Sequence, residues 1–255
     1  ERHITPKLAV VLVGKNKASE LYVKRKKQAC ERVGVEFDLK RFEETVTEKE
    51  LVTLVKGLNS TFSVHGILVQ LPLPQHIDQH RILDQISPLK DVDGFTSFNI
   101  GLLAHGKEEF VACTAKGIVN LIESTSRRIE GSNACIVNHS IVVGKPLALM
   151  LLNRNATVTT CHEFTKDVAQ HTKQADFLIT AVGKPGLIKA DMVKEGAVVI
   201  DAGIAREGSK LLGDVEFEKV KEVASFITPV PGGVGPMTVA CLLENTVRAA
   251  QLQHR

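Results

Sequence analysis

Ala134-Cys135-Ile136-Val137-Asn138-His139-Ser140-Ile141-Val142-Val143-Gly144-Lys145-Pro146 is the stretch that decides the fold class. An apolar run of strand length, Ala134 to Val137, opens into a turn, and Pro146 suits the first position of a helix. A strand that feeds a helix in this way is the building unit of a parallel α/β sheet, and the amides at such a helix start attract phosphate. The turn is not Gly-x-Gly-x-x-Gly, so as a dinucleotide fingerprint it is weak. Working outward, Thr157 to Cys161, Phe177 to Val182, Val198 to Ala202 and Phe226 to Val230 read as further strands. Pro146 to Leu152, Val168 to Lys173, Ala190 to Lys194 and Phe217 to Val223 read as the helices between them. The alternation predicts a Rossmann-like, doubly wound parallel sheet of about a hundred residues, a size suited to mononucleotide or dinucleotide binding.

The N-terminal half alternates in the same sense. Leu8 to Val13 is near-continuously apolar, as in a strand buried on both faces. A charged helix from Ser19 to Val33 stops at Gly34, and a strand from Phe37 to Arg41 follows. Thr47 opens a helix over Glu48 to Leu58, Gly66 to Gln70 is a third strand cut off by Leu-Pro-Leu-Pro, and a helix around Asp78 to Ile86 comes next. From Pro88 to Phe110 no period is clear. A helix from Lys116 to Thr125 then leads into Ser126-Arg127-Arg128, which reads as a break between the halves. The expected architecture is therefore two α/β domains, with ligands beyond the carboxyl ends of the strands and in the cleft between the domains.

Composition narrows the function classes. The 255 residues are 44% apolar and 24% charged, ordinary for a globular protein, and the net charge of +3 is too small and too evenly spread to argue for nucleic acid. With no Trp and one Tyr, platforms for stacking bases are scarce. The five cysteines are widely spaced without a Cys-x-x-Cys pair and read as reduced thiols, neither a disulfide frame nor a zinc site. No apolar run approaches the ~20 residues that span a bilayer. A cytoplasmic location is expected, and because the chain begins at Glu1 and not at Met a targeting segment is left open.

Thr228-Pro-Val-Pro-Gly-Gly-Val-Gly-Pro-Met-Thr238 packs three prolines and three glycines into eleven residues. Such a loop is stiff and lets a ligand approach the backbone closely; it reads as a binding wall or as a tight connection to the C-terminal helix, Met237 to Gln251. It lacks the Gly-Lys-Ser/Thr ending of a triphosphate loop. Tyr22 and Lys26 lie four apart on one face of a helix, either a solvated face or a working pair. Lys24, Arg25 and Lys27 surround Lys26, and like charge with burial would favour an amine able to move protons near neutrality. Gln70, at a strand end, either caps its loop or orients a polar group. Asp91 and Asp93 form a solvated turn or pair with a donor-rich ring. Glu163, about twenty residues beyond the first turn, stands where an acidic residue holds the ribose 2′-hydroxyl of NAD. His139 and His162 read otherwise as ordinary loop histidines, and their spacing gives no metal motif.

Taken in order, seven segments resemble the bifunctional methylenetetrahydrofolate dehydrogenase/methenyltetrahydrofolate cyclohydrolase family. They are Tyr22-x-x-x-Lys26, Val69-Gln70-Leu71-Pro72-Leu73-Pro74, Lys90-Asp91-Val92-Asp93-Gly94, Cys113-Thr114, Ser140-x-x-Val143-Gly144-x-Pro146, Asp201-x-Gly203-Ile204 and Pro229 to Thr238. The resemblance implies oxidation of 5,10-methylenetetrahydrofolate with NAD(P)⁺, hydrolysis of the methenyl product to 10-formyltetrahydrofolate, and a homodimer. It implies a folate-binding catalytic domain over 1–112 plus 237–255 and an NAD(P)-binding domain over 113–236. Lys26 would be the proton-moving catalyst and Gln70 its partner; Tyr22 would stack on the folate and Asp93 hold the pterin amine edge. Val69, Gln70, Leu71 and Pro231, Gly232, Gly233, Val234 and Gly235 would line the folate pocket. Asn138, His139, Ser140, His162, Glu163, Gly183 and Ile204 would hold the dinucleotide, and no metal is implied.

This sequence departs from the family pattern in three places. The helical segment ahead of the first matched strand is missing. Pro-Cys-Thr-Pro is Ala112-Cys113-Thr114-Ala115, and Gly-Arg-Ser is Asn138-His139-Ser140, with Glu163 in place of the serine after Cys-His. The arginine and serine are the expected 2′-phosphate ligands, so the departures favour NAD over the family's usual NADP. The altered loop also leaves open a cyclohydrolase-only enzyme, or a folate-binding regulatory protein with a decayed dehydrogenase half. A different two-domain dehydrogenase would carry the absent Gly-x-Gly-x-x-Gly loop.

Overall fold

The computed structural model describes residues 4–208 and 210–254. The chain divides into two compact units, Glu1–Cys113 with Val239–Arg255, and Thr114–Thr238.

The first unit runs β1 (Lys7–Val13), α1 (Lys17–Val33), β2 (Glu36–Phe42), α2 (Glu48–Ser60), β3 (Gly66–Val69), α3 (Gln79–Leu83) and α4 (Ser97–Ala104). Its sheet is parallel in the order β2-β1-β3. β1 is the middle strand and Leu8 to Leu12 are wholly buried, which is why that stretch is apolar without alternation. Each such leucine contributes about 1.5–3 kcal/mol through burial. Local signals fix the helix ends. Asn16 Oδ1 caps α1 through Ala18 N and Ser19 N, Gly34 ends it in the left-handed region at φ 75°, and Thr47 and Glu50 form a reciprocal capping box on α2. Cys241, Leu242 and Ala249 of the last helix complete the core with Leu8, Val10, Leu12, Leu68 and Phe110.

The second unit contains α5 (Cys113–Ser124, whose first residue lies at the boundary), β4 (Asn133–Val137), α6 (Gly144–Leu152), β5 (Thr157–Cys161), α7 (Val168–Thr172), β6 (Phe177–Thr180), β7 (Val198–Asp201), β8 (Ala205–Glu207), β9 (Lys210–Leu212), α8 (Phe217–Val220) and β10 (Phe226–Ile227). The helix α9 (Val234–Gln253) begins here, and the boundary between units falls inside it. Five parallel strands stand in the order β10-β7-β6-β4-β5, so the winding reverses beside β4, the topological switch point of a doubly wound sheet.

Several expectations need correction. α4 occupies part of the stretch that shows no period, because its apolar residues do not keep to one face: Leu103 is buried while Phe98 is 58% exposed. Antiparallel β8 and β9 are three residues each, too short to leave a pattern. Ser126-Arg127-Arg128 is a turn within the second unit, with Ser126 at φ 57°. α6 starts at Gly144, which puts Pro146 at its third position, where the amide has no intrahelical partner. α9 starts at Val234, so Val234 and Gly235 belong to a first helical turn and not to a loop. Ala190–Met192 is a 3₁₀ turn in place of a longer helix.

Candidate active site

In the first unit, α1 turns Tyr22 and Lys26 to one side, and Lys26 is buried while Lys24, Arg25 and Lys27 are exposed. Lys26 Nζ donates to Gln70 Oε1 at 3.0 Å. Gln70 follows directly on β3, and its own N–H continues the ladder to Val11 O at 2.9 Å. Its Nε2 donates to Leu71 O at 2.9 Å, which leaves only the amide oxygen to face the lysine. Ser19 Oγ of α1 donates to the same Leu71 carbonyl at 3.4 Å, tying the helix to the loop after β3. Burial holds the Tyr22 phenol above its ordinary pKa, opposed by the Arg25 charge.

The two aspartates of the next loop separate into different jobs. Asp91 is fully buried, and its carboxylate accepts from Phe95 N at 3.1 Å, Thr96 N at 2.9 Å, Thr96 Oγ1 at 2.8 Å and Asn99 Nδ2 at 2.8 Å, so it builds the turn into α4. Burial raises the Asp93 carboxyl, while the Lys26 charge and a hydrogen bond from Cys113 oppose that rise and Asp91 adds to it. Gly94, at φ 70°, permits the turn: a Cβ there would stand 2.5 Å from Val111 C. Asn245 of α9 donates to Val92 O at 2.9 Å and to Val111 O at 3.4 Å, and so pins both sides of the loop. Asn245 was not foreseen as a site residue; its signal is a polar Asn-Thr pair inside the buried stripe of the last helix. Lys26 thus meets the Gln70 amide directly and its charge reaches the Asp93 carboxyl, with Tyr22 one helical turn away on α1.

In the second unit, Asn138 lies at the end of β4, and its side chain is spent within the protein. Oδ1 accepts from Ser140 N, Ser140 Oγ and Gly144 N at 2.8, 2.8 and 3.0 Å, and Nδ2 donates to Ala181 O at 2.6 Å across the switch point. Gly144 has no room for a Cβ, which would meet Asn138 O at 2.1 Å. His139 Nδ1 is 3.7 Å from Glu163 Oε2, and the His139 and His162 rings are 5.0 Å apart, so the ends of β4 and β5 bring these three together. Gly183, at φ 78°, abuts Ile204, while Val182 and Ile204 expose 48% and 42% of their surface. Glycine turns, exposed apolar residues and an acidic side chain beyond the strand ends at a topological switch point match the chemistry of a dinucleotide. In the Pro-Gly loop Gly233 N donates to Pro229 O at 3.0 Å, and Gly232 takes φ 107°. Pro231 and Gly232 are exposed, Gly233 and Gly235 half-buried, and Val234 buried. Among the described residues no group of acidic, histidine or cysteine side chains could hold a metal, and no helix is long and apolar enough to cross a membrane.

Residues 1–93 match the model of the tetrahydrofolate dehydrogenase/cyclohydrolase catalytic domain, and residues 112–254 match that of its NAD(P)-binding domain. The chain belongs to the tetrahydrofolate dehydrogenase/cyclohydrolase family. The bifunctional protein FolD of a Nitratiruptor strain is 51% identical over 100% of this chain and 90% of its own length. The crystal structure of the bifunctional FolD enzyme of Campylobacter jejuni superposes with a TM-score of 0.95 at 50% identity, covering 98% of this chain and 89% of that one. The Trypanosoma brucei FolD enzyme, solved with NADP and an inhibitor, gives a TM-score of 0.95 at 36% identity over 99% of this chain and 89% of that one. Within the family frame, Tyr22, Lys26, Gln70 and Asp93 all fall in the matched catalytic domain, and the Asn138 to Ile204 set falls in the matched NAD(P)-binding domain.

Proposed function

We propose that this chain oxidises 5,10-methylenetetrahydrofolate with NAD(P)⁺ and hydrolyses the resulting 5,10-methenyltetrahydrofolate to 10-formyltetrahydrofolate, serving one-carbon metabolism. The observation that carries the reading is the Lys26–Gln70 contact of 3.0 Å inside the matched catalytic domain. Residues 1–112 with 237–255 form the folate-binding part and 113–236 the cofactor part. Tyr22 stacks on the folate, Asp93 accepts from its amine edge, and Val69 and Leu71 supply further contacts. A bound dinucleotide would supply the hydride acceptor for the one-carbon bridge, whose oxidised form is the methenyl cation. Lys26, as the neutral amine, then takes the proton released as water adds to that carbon and returns it to the ring nitrogen whose bond to that carbon breaks, while the hydroxyl proton of the adduct leaves to solvent as the formyl C=O forms; Gln70 fixes where the amine stands.

The cofactor preferred is NAD. Glu163 and His139 occupy the end of β5 and the turn after β4, and a carboxylate there accepts from a ribose 2′-hydroxyl and repels a 2′-phosphate. The protein works as a homodimer in the cytoplasm. A spectrophotometric assay with methylenetetrahydrofolate and each cofactor tests the reading. We expect kcat/KM for NAD to exceed that for NADP by about tenfold or more, the equivalent of one lost charge-assisted contact; a clear preference for NADP sinks the cofactor assignment, and no reduction of either sinks the dehydrogenase.

A further inference from the structure

Two buried carboxylates, Asp201 and Asp214, are 4% and 0% exposed, and among the described residues neither is paired with a cation. Buried, unpaired anions are costly, so each persists only because backbone amides converge on it. Asp214 accepts from Thr180 Oγ1 at 2.7 Å, from Val182 N at 2.7 Å and from Lys184 N at 2.6 Å. Asp201 accepts from Gly203 N at 2.9 Å, from Asp214 N at 3.1 Å and from Val215 N at 2.9 Å. Its own N–H donates to Thr228 Oγ1 at 2.8 Å, the residue that opens the Pro-Gly loop. The segments after β6, β7 and β9 are therefore laced together by two carboxylates, and the Asp201 backbone ties the end of β10 to them through Thr228.

The packing leaves no slack around this lacing. A Cβ on Gly203 would fall 2.1 Å from the Asp214 carboxyl carbon, and one on Gly213 would fall 2.1 Å from Asp201 Oδ2. The amides tied to Asp214 belong to the residues on either side of Gly183, and a Cβ on Gly183 would meet Ile204 O at 3.2 Å. The residues held in place, Val182, Gly183 and Ile204, are themselves exposed. Burial raises the Asp201 carboxyl above its ordinary pKa and Asp214 adds to the rise, while the three amides oppose it, as expected of two anions held side by side.

The geometry points to Asp214 as a positioning residue for the dinucleotide, fixing the Gly183 turn and Ile204 against one another without touching the cofactor. This rests on the cofactor reading above and adds to it the residue that holds these two in place. The test uses the full-length chain and Asp214→Asn, which keeps the shape and loses the charge. Kd for NAD is measured by calorimetry, KM and kcat for the oxidation, and the hydrolysis of methenyltetrahydrofolate as an independent reporter of the other activity. We expect Kd and KM for NAD to rise about tenfold or more with hydrolysis within about twofold of the parent, since the new amide nitrogen, itself a donor, would face a buried donor that the carboxylate had accepted from. A melting temperature that falls while Kd for NAD stays at the parent value overturns the proposal, as does parallel loss of hydrolysis. Should Asp214→Asn not fold, Thr180→Val removes a single donor, and we expect about threefold weaker NAD binding; unchanged binding there overturns it equally. Failure of the parent chain to bind NAD or NADP overturns the cofactor reading itself, whereas equal binding by parent and variant overturns only the role of Asp214.

Discussion

Gln70 has an acceptor and a donor on one side chain, and the protein uses them in opposite directions. The donor is spent on Leu71 O, so the acceptor is what Lys26 meets at 3.0 Å. An amide holds an ammonium without neutralising it and without titrating, which suits an amine that must exchange protons with solvent during hydrolysis. Lys26→Met keeps a long, unbranched stem, one atom shorter than that of lysine, and removes the exchangeable proton. We expect hydrolysis of methenyltetrahydrofolate to fall by about 10²–10⁴, the usual worth of a general acid or base. Following the loss of methenyl absorbance over time checks this, and hydrolysis at the parent rate would show that Lys26 is not the catalyst. At this scale the sequence was informative where chemistry is local. Tyr22 and Lys26 are one helical turn apart and Gln70 ends a strand, so both positions are legible from spacing. Asn245 and Asp214 were not, because Asn245 acts on Val92, 153 residues away, and Asp214 on Thr180, 34 residues away. Such contacts exist only once the chain is folded.

Between residues and the whole stand the elements, and the end of α9 shows how one is fastened. His65, just before β3, accepts from Lys7 N at Nδ1 over 3.0 Å, and its Nε2 is 3.0 Å from Nε2 of His254 after α9. The accepting role at Nδ1 requires a neutral ring. Burial pushes the His65 imidazole below its ordinary pKa, with His254 and Lys90 acting in the same direction and Glu36 against them. The unfolded chain, with a histidine near the reference value of about 6.5, binds this proton more readily than the folded one. The stabilisation is therefore complete above about pH 6.5 and is lost as pH falls below it toward the folded value. We expect the melting temperature to drop between pH 7.5 and 5.5 and His65→Asn, which offers an oxygen to Lys7 N without titrating, to flatten that drop. Parallel profiles for the two proteins would rule out His65 as the source. Legibility at this scale follows the same physics as the fastening. Strands buried on both faces and helices with side-chain caps, such as α1 and α2, announce themselves locally. α4 and the β8–β9 pair do not, since one has no single apolar face and the other is too short to have a pattern.

Across the whole molecule, the alternation of apolar runs and helices was enough to read two α/β halves, and each half closes its own sheet and its own core. Among the described residues no strand is shared: β1 to β3 form one parallel sheet, and β4, β5, β6, β7 and β10 form the other. The core around Leu8, Val10 and Leu68 and the core around Val137, Leu178 and Val199 draw on separate residues. Cooperative unfolding follows cores, so a ligand held by one unit should stabilise that unit before the other. NAD at 100 times its Kd adds about 2.7 kcal/mol to whatever binds it, which slows exchange from the globally opened state by about 100-fold. Hydrogen exchange followed by mass spectrometry reads this segment by segment. With saturating NAD we expect that slowing in peptides carrying Ile136, Ile179 and Val199, and exchange within about twofold of the ligand-free rate in peptides carrying Val10 and Leu68. Equal slowing in both sets would mean that the two cores open as one cooperative body, because a ligand cannot protect a core that unfolds independently of its binding site.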